Sequence, residues 1–448
     1  MPYDGEYASY RPLQRIVEAE RVRSLLGRAR TLNTSSIPIE IHIKAAPQNS
    51  SVLPDLIVAI DGSTAEVDVK TGYPGAKVGY CTVASVLLNL RQIEQLDETR
   101  PVDPVEFRRT EETATVDAAL PGANVVIRTH SSARDSFREA MYEIFHDEII
   151  DEEDGTRLLD TYEDLLALKP KDRPLNCPYE IEGCELHFNP GKGISSCICS
   201  QKRAIYSTDA LRIHERFHES GMNGEAYGEM MQVWERLILI HLLKCFERRG
   251  WIDQFNRVAF IIDGPLAVFG HPAWLSAAIK TELKRLNKTV RSQTGKDIII
   301  LGIEKTGIFV THFDEIDVTE TNASRLPPRS FVLPIDSYIK ERIIFSTSDK
   351  RYGADTYFGR KLFYKTSSGS RIVADIPFLT DEQDSLDTDD VTAYPQFSTI
   401  CSLLDKLVSS RYPNALSPII SAHAQAAIPL QLGAKVLQQL ARALMRKD

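Results

Sequence analysis

The chain has 448 residues, 43% of them hydrophobic and 26% charged, an ordinary globular composition with ample apolar material for a core. No apolar stretch is as long as the eighteen or so residues of a membrane span, and the polar, acidic start MPYDGEYASYRP does not read as a secretory signal, so a cytoplasmic protein with no membrane contact is expected. A net charge of −9 and a pI near 5.7 count against wrapping nucleic acid over a broad basic surface, but leave room for a narrow, locally positive channel.

Residues 1–50 read as an N-terminal arm, with an arginine-rich amphipathic helix over 11–30. The first part of the core, 51–130, opens with the apolar run Leu56-Ile57-Val58-Ala59-Ile60, a buried strand followed by a turn at Asp61-Gly62-Ser63. Residues 76–90 predict one or two further strands. Another is predicted from Ala123 to Arg128, after the turn signal Pro121-Gly122. Residues 131–223 read as a helical and cysteine-rich insertion, with a helix from Ser132 to Ile150 and an acidic run over 143–164 taken as a solvated face. The second part of the core, 224–448, begins with a long helix from Gly224 to Arg249, stopped by Gly250. Then come a strand from Val258 to Asp263, a helix from Pro272 to Val290 and a strand from Ile298 to Ile303. A hairpin over 358–378 follows, then helices over 396–411 and 415–447, with a kink at Pro429. Strands alternating with long helices predict an α/β fold.

Two of these strands end alike, in VAIDGST at Asp61 and FIIDGPL at Asp263. Each brings a carboxylate to the edge where open α/β sheets place their sites. Two carboxylates converging there repel each other unless a cation neutralises them, and a hard Mg²⁺ or Mn²⁺ suits oxygen ligands. The plain alternative is that each Asp-Gly is only a turn. Glu235 shares a helix face with Met231, Ile238 and Leu242, so it is either paired with an arginine or ligates metal. Glu247 is a second candidate, near the helix end. An Asp/Glu/Asp set on two strands and a helix suits metal-assisted phosphodiester hydrolysis.

Taken in order, VAIDGSTAEV, MMQVWERLILIHLL, FIIDGPLAVFG, LGIEKTG and RYPNALSPIISAH resemble the motifs of the NurA family, over about residues 50–90 and 225–440. The resemblance implies an RNase H-like mixed sheet flanked by helices, in a Mn²⁺- or Mg²⁺-dependent deoxyribonuclease. It implies that Asp61, Glu235 and Asp263 bind the metals, that Tyr412 and His423 lie at the active site, and that Lys305 is near it. It also implies DNA as substrate, a HerA-type hexameric ATPase as partner, a homodimer, and a role in DNA end processing or antiphage defence.

Cys177, Cys184, Cys197 and Cys199 follow a C-x6-C-x12-C-x-C spacing among glycines and prolines. They suit a small structural zinc site, in which His187 could replace one cysteine; otherwise they are buried or reactive thiols. Cys81, Cys245 and Cys401 sit in apolar surroundings and read as packing residues. Lys280, Lys284, Lys288 and Arg291 form a stripe on one helix face that either tracks DNA phosphates or is a solvated face. Arg108 and Arg109 are weaker candidates. Three other functions compete with the nuclease: a catalytically silent adaptor of the ATPase, a zinc-stabilised DNA-binding module, and an RNase H-like enzyme acting on RNA.

Overall fold

The computed structural model describes residues 10–29, 41–50, 52–70, 72, 75–91, 111–127, 130–150, 153, 155–171, 174–180, 183–189, 191–199, 201–318, 324–385, 387–408, 416–428 and 432–445. Its strands are β1 (Lys44–Ala45), β2 (Leu56–Lys70), β3 (Ala76–Asn89), β4 (Glu111–Pro121), β5 (Leu175–Asn176), β6 (His187–Phe188), β7 (Ile194–Ser196), β8 (Ala204–Tyr206), β9 (Val258–Asp263), β10 (Ile299–Glu304), β11 (Ser330–Val332), β12 (Gly359–Lys365) and β13 (Arg371–Pro377). Nine of them form one mixed sheet in the order β1-β11-β12-β13-β10-β9-β2-β3-β4. In its β4-β3-β2-β9-β10 half, β2, β3 and β4 are antiparallel neighbours, while β9 and β10 run parallel to β2. That is the RNase H-like arrangement. The other half, β13 to β1, is antiparallel throughout.

The helices are α1 (Arg11–Glu18), α2 (Glu20–Arg28), α3 (Ala133–Asp147), α4 (Leu158–Ala167), α5 (Gly224–Arg248), α6 (Leu275–Thr294), α7 (Ile308–Asp317), α8 (Asp336–Arg342), α9 (Asp381–Ser385), α10 (Phe397–Leu407), α11 (Ser417–Ala426) and α12 (Leu432–Met445). On one face of the sheet, α3 to α6 bury Phe137, Tyr162, Trp234, Leu237 and Leu283 against Val58, Ile60, Phe260 and Ile300. On the other, α10 and α11 bury Ile400, Leu404 and Ile419 against Ile57, Ala59, Ile261 and Leu301. Alternate residues of β2 thus feed two cores, which is why its first half is an unbroken apolar run. The middle of α5 is buried all round because it lies inside the first core, with every residue from Val233 to His241 buried, Glu235, Arg236 and His241 among them. Ser132 caps α3, its hydroxyl accepting from the Asp135 amide.

Three local expectations change. Asp61-Gly62-Ser63 is not a turn: β2 continues to Lys70 because β3 stays paired with it, while its pairing with β9 stops at Ile60. The strand expected from Ala123 to Arg128 is absent over the described 123–127, since β4 ends at Pro121 and Asn124 adopts a left-handed conformation with φ 56°. The single helix expected over 11–30 is two, broken at an extended Ala19, and neither buries a residue. Among the described residues, no helix is long and apolar enough to cross a membrane.

Candidate metal centre

Parallel pairing of β2 with β9 places the two aspartates side by side. Ile60 sits opposite Ile262 as the last registered pair, so Asp61 and Asp263 emerge together at the same sheet edge. In the next parallel strand Ile303 lies opposite Asp263, and the turn after β10 carries Lys305 to the edge. Its ammonium donates to Asp263 Oδ2 at 3.0 Å and lies 3.7 Å from Asp61 Oδ2. From the far face of the sheet, α11 brings His423 Nδ1 to 2.9 Å from Asp61 Oδ2. Asp61 is 3% exposed, whereas Asp263 is partly open to solvent.

Glu235 arrives from α5 on the opposite face and is 4% exposed. Gly62 makes this approach possible: a Cβ there would lie 2.8 Å from Glu235 Oε1 and 2.8 Å from Met231 Cγ. The Gly62 amide donates to Asp61 Oδ1 at 2.8 Å. Arg236, 4% exposed, pairs with Glu235 Oε2 and donates to the carbonyls of Pro265 at 2.9 Å and Ala267 at 3.2 Å. One guanidinium therefore ties the helix carboxylate to the loop after Asp263. From beneath, buried Asp375 accepts from the Leu266 amide at 2.8 Å and from Lys361. Gly302 leaves that loop its space, because a Cβ there would meet Gly264 O at 2.7 Å.

Burial pushes the Asp61 carboxyl up to about 6, helped by repulsion from Asp263 and opposed by Lys305 and His423. Burial likewise pushes Glu235 up to about 8; Arg236 opposes this, while Asp61 and Asp263 add to it. Burial is the larger cause in both, and the positive charge facing them only partly offsets it. Acidic oxygens on two strands and a helix, one of them already attracting an ammonium, are the ligand type that a hard divalent cation takes, although among the described residues only the sulfurs of Cys177, Cys184 and Cys197 form a set of three within 4.8 Å of one another.

A second cluster lies in the 175–206 segment. The sulfurs of Cys177, Cys184 and Cys197 lie within 4.8 Å of one another. Cys197 Sγ is 3.6 Å from Cys177 Sγ and 3.8 Å from Cys184 Sγ. Sulfurs about 2.3 Å from a tetrahedral zinc lie roughly 3.8 Å apart, so the spacing could hold such an ion. Cys199 stands beside them: its amide donates to Cys197 Sγ at 3.4 Å, and a hydrogen bond with Cys197, joined by backbone donors of 201–203, lowers its thiol to about 7. His187 is exposed on β6 and outside the sulfur cluster. Fully buried Arg138 docks this segment on the core, pairing with Asp135 and Asp209 and donating to the Ala204 carbonyl.

Not every sequence candidate converges on the edge. Glu247 is held by Arg285 through two hydrogen bonds, at 2.8 and 2.6 Å. Lys280 and Lys284 pair with Asp384, and Lys284 also with Asp381. Arg291 approaches Asp297 at 3.7 Å, and Lys288 is exposed. Tyr412, Arg108 and Arg109 lie outside the described residues. Cys81, Cys245 and Cys401 are buried, in keeping with packing roles. Sequence reading did not single out Arg236, which pairs with adjacent Glu235 but also bonds the distant Pro265 and Ala267 carbonyls, or Asp375, whose partners, the Leu266 amide and Lys361, are brought near by the fold.

No curated protein sequence matches the chain. Among solved structures, it is similar to the NurA nuclease from Sulfolobus solfataricus, at 11% identity, over 91% of this chain and 88% of that one, with a TM-score of 0.32. The NurA domain model matches residues 199–428, more than half of the 448. That match spans Glu235, Asp263, Lys305 and His423, and stops short of Asp61, which the sheet itself brings to the same edge. The chain belongs to the NurA domain family.

Proposed function

We propose that this protein is a divalent-metal-dependent DNA nuclease that hydrolyses phosphodiester bonds at DNA ends or in single strands. The observation that carries this reading is that buried Asp61 and Glu235 and the partly exposed Asp263 meet at one sheet edge, with Lys305 and His423 bonded to the aspartates. Asp61, Glu235 and Asp263 hold the metal, Mn²⁺ or Mg²⁺, which when bound activates water and offsets charge on the phosphate. His423, 59% exposed at its side chain, faces solvent and can position water or phosphate while it orients Asp61. Lys305 balances the aspartates and is placed to meet a scissile phosphate. Arg236 holds Glu235 in place. The family motif adds Tyr412 to this set. Lys280, Lys284, Lys288 and Arg291 remain candidates for gripping DNA, the first two only if they exchange Asp381 and Asp384 for phosphate.

The cysteine cluster is proposed as a structural zinc site of Cys177, Cys184, Cys197 and Cys199. Family membership supports a HerA-type hexameric ATPase as partner, a homodimer, and a role in DNA end processing or antiphage defence in the cytoplasm. The test is cleavage of end-labelled single- and double-stranded DNA, with Mn²⁺, Mg²⁺ or EDTA, by the wild type and by Asp263→Ala. Metal-dependent cleavage that disappears in the variant is expected. No cleavage with any metal, even with the cognate ATPase and ATP, would leave a silent adaptor as the function.

A further inference from the structure

A cleft of about 310 Å³ opens between α6, α8, α9 and the 351–354 loop, with β12 at its base. Lys280, Lys284, Arg351 and Arg360 line it, together with Asp336, Asp381, Asp384 and Asp387. Three of these cations are engaged: Lys280 and Lys284 with Asp384, and Arg351 Nη1 with the Asp384 carbonyl at 2.6 Å. Arg360 differs. It is 6% exposed, donates one long bond from Nη2 to the Pro334 carbonyl at 3.4 Å, and leaves Nε and Nη1 with no hydrogen-bond partner. The Tyr394 hydroxyl lies close enough to interact with the guanidinium, but without a hydrogen bond of normal geometry to it. Among the described residues no carboxylate forms an ion pair with Arg360, whereas neighbouring Lys361 is bracketed by Glu304 and Asp375.

A guanidinium removed from water without a counter-ion is costly, and an anion that enters relieves that cost. Arginine suits phosphate in particular, through planar, charge-assisted hydrogen bonds. The cleft volume is at the small end for ligand sites, enough for one phosphate-bearing unit up to about a mononucleotide. We propose that this cleft is a phosphate-binding site separate from the Asp61 edge. Arg360 supplies the buried charge, and Lys280 and Lys284 close the mouth by exchanging Asp384 for ligand oxygens. The stripe on α6 thereby gains a role at one defined pocket. The proposal stands whether or not the Asp61 edge cleaves DNA.

Isothermal titration of the full chain, without added divalent cation, tests it with three probes: inorganic phosphate, deoxyadenosine 5′-monophosphate, and a short single-stranded oligonucleotide with a 5′-hydroxyl. Saturable one-to-one binding is expected. Response to phosphate and mononucleotide alone assigns a free ligand; response to the oligonucleotide as well assigns the DNA backbone. Arg360→Met should weaken binding by about tenfold or more without lowering the thermal midpoint, because it removes an unpaired buried charge at similar volume. The paired change Lys280→Gln and Lys284→Gln should weaken binding severalfold. No saturable binding of any probe, or undiminished binding in Arg360→Met, overturns the site. If Arg360→Met does not fold, undiminished binding in the lysine pair overturns it instead.

Discussion

Replacing Gly62 with alanine tests the proposed metal centre without replacing any charged group. The added Cβ would lie 2.8 Å from Glu235 Oε1 and 2.8 Å from Met231 Cγ. Ordinary contact begins near 3.5 Å, so each must retreat by about 0.7 Å. The unbranched Met231 side chain gives way easily. Glu235 does not, because Arg236 fixes it to the carbonyls of Pro265 and Ala267. Overpacking of this kind costs about 1–3 kcal/mol of stability. A displaced ligand costs far more in rate, since a misplacement of about 1 Å is worth roughly a hundredfold. The expected outcome is a folded protein with a modestly lower thermal midpoint, cleavage slower by about tenfold or more, and a higher Mn²⁺ concentration for half-activity. These are read by thermal unfolding and by a Mn²⁺ titration of cleavage. A lowered midpoint with wild-type rate and metal requirement would show that Glu235 plays no part at the edge, and would refute the reasoning.

Two further predictions follow from the same geometry. Asp61 and Glu235 have raised carboxyls in the folded chain, about 6 and about 8 against ordinary values of 3.8 and 4.5. The folded state therefore binds these protons more tightly than the unfolded one, and the stability this confers at low pH is lost as pH rises through about 6 and then 8. The thermal midpoint should fall over that window without added metal, less so in Glu235→Gln, and saturating Mn²⁺ should remove the fall; a metal-free midpoint that climbs from pH 6 to 8 would contradict the assignment. Metal analysis of the purified chain should find about one zinc per protein, lost in Cys184→Ser or Cys197→Ser together with stability; a wild type without zinc would leave the cysteines as buried thiols.

Sequence alone determined the elements whose cause is local. The runs LIVAI and VAFII read as buried strands because both faces of β2 and β9 meet apolar cores, and α5 read as a long helix because its apolar residues stop at Gly250. The Asp-Gly pairs and the spacing of Glu235 named the acidic residues of the edge from composition and period, since a carboxylate after an apolar run has few reasons to be there. The cysteine spacing named four thiols, of which Cys177, Cys184 and Cys197 cluster and Cys199 stands beside them. Tertiary structure decided which groups face one another. Whether Asp61-Gly62-Ser63 turned or ran on depended on β3, a separate segment that keeps pairing to the end of β2. Arg236 and Asp375 act through backbone groups brought near only by the sheet and the loop after Asp263. The lysines of α6 looked free because their counter-charges, Asp381 and Asp384, lie about a hundred residues onward. The unpaired charge of Arg360 is visible only once all its neighbours are placed. Periodicity records burial along one element; charge balance and close approach are sums over neighbours that the chain's order does not contain.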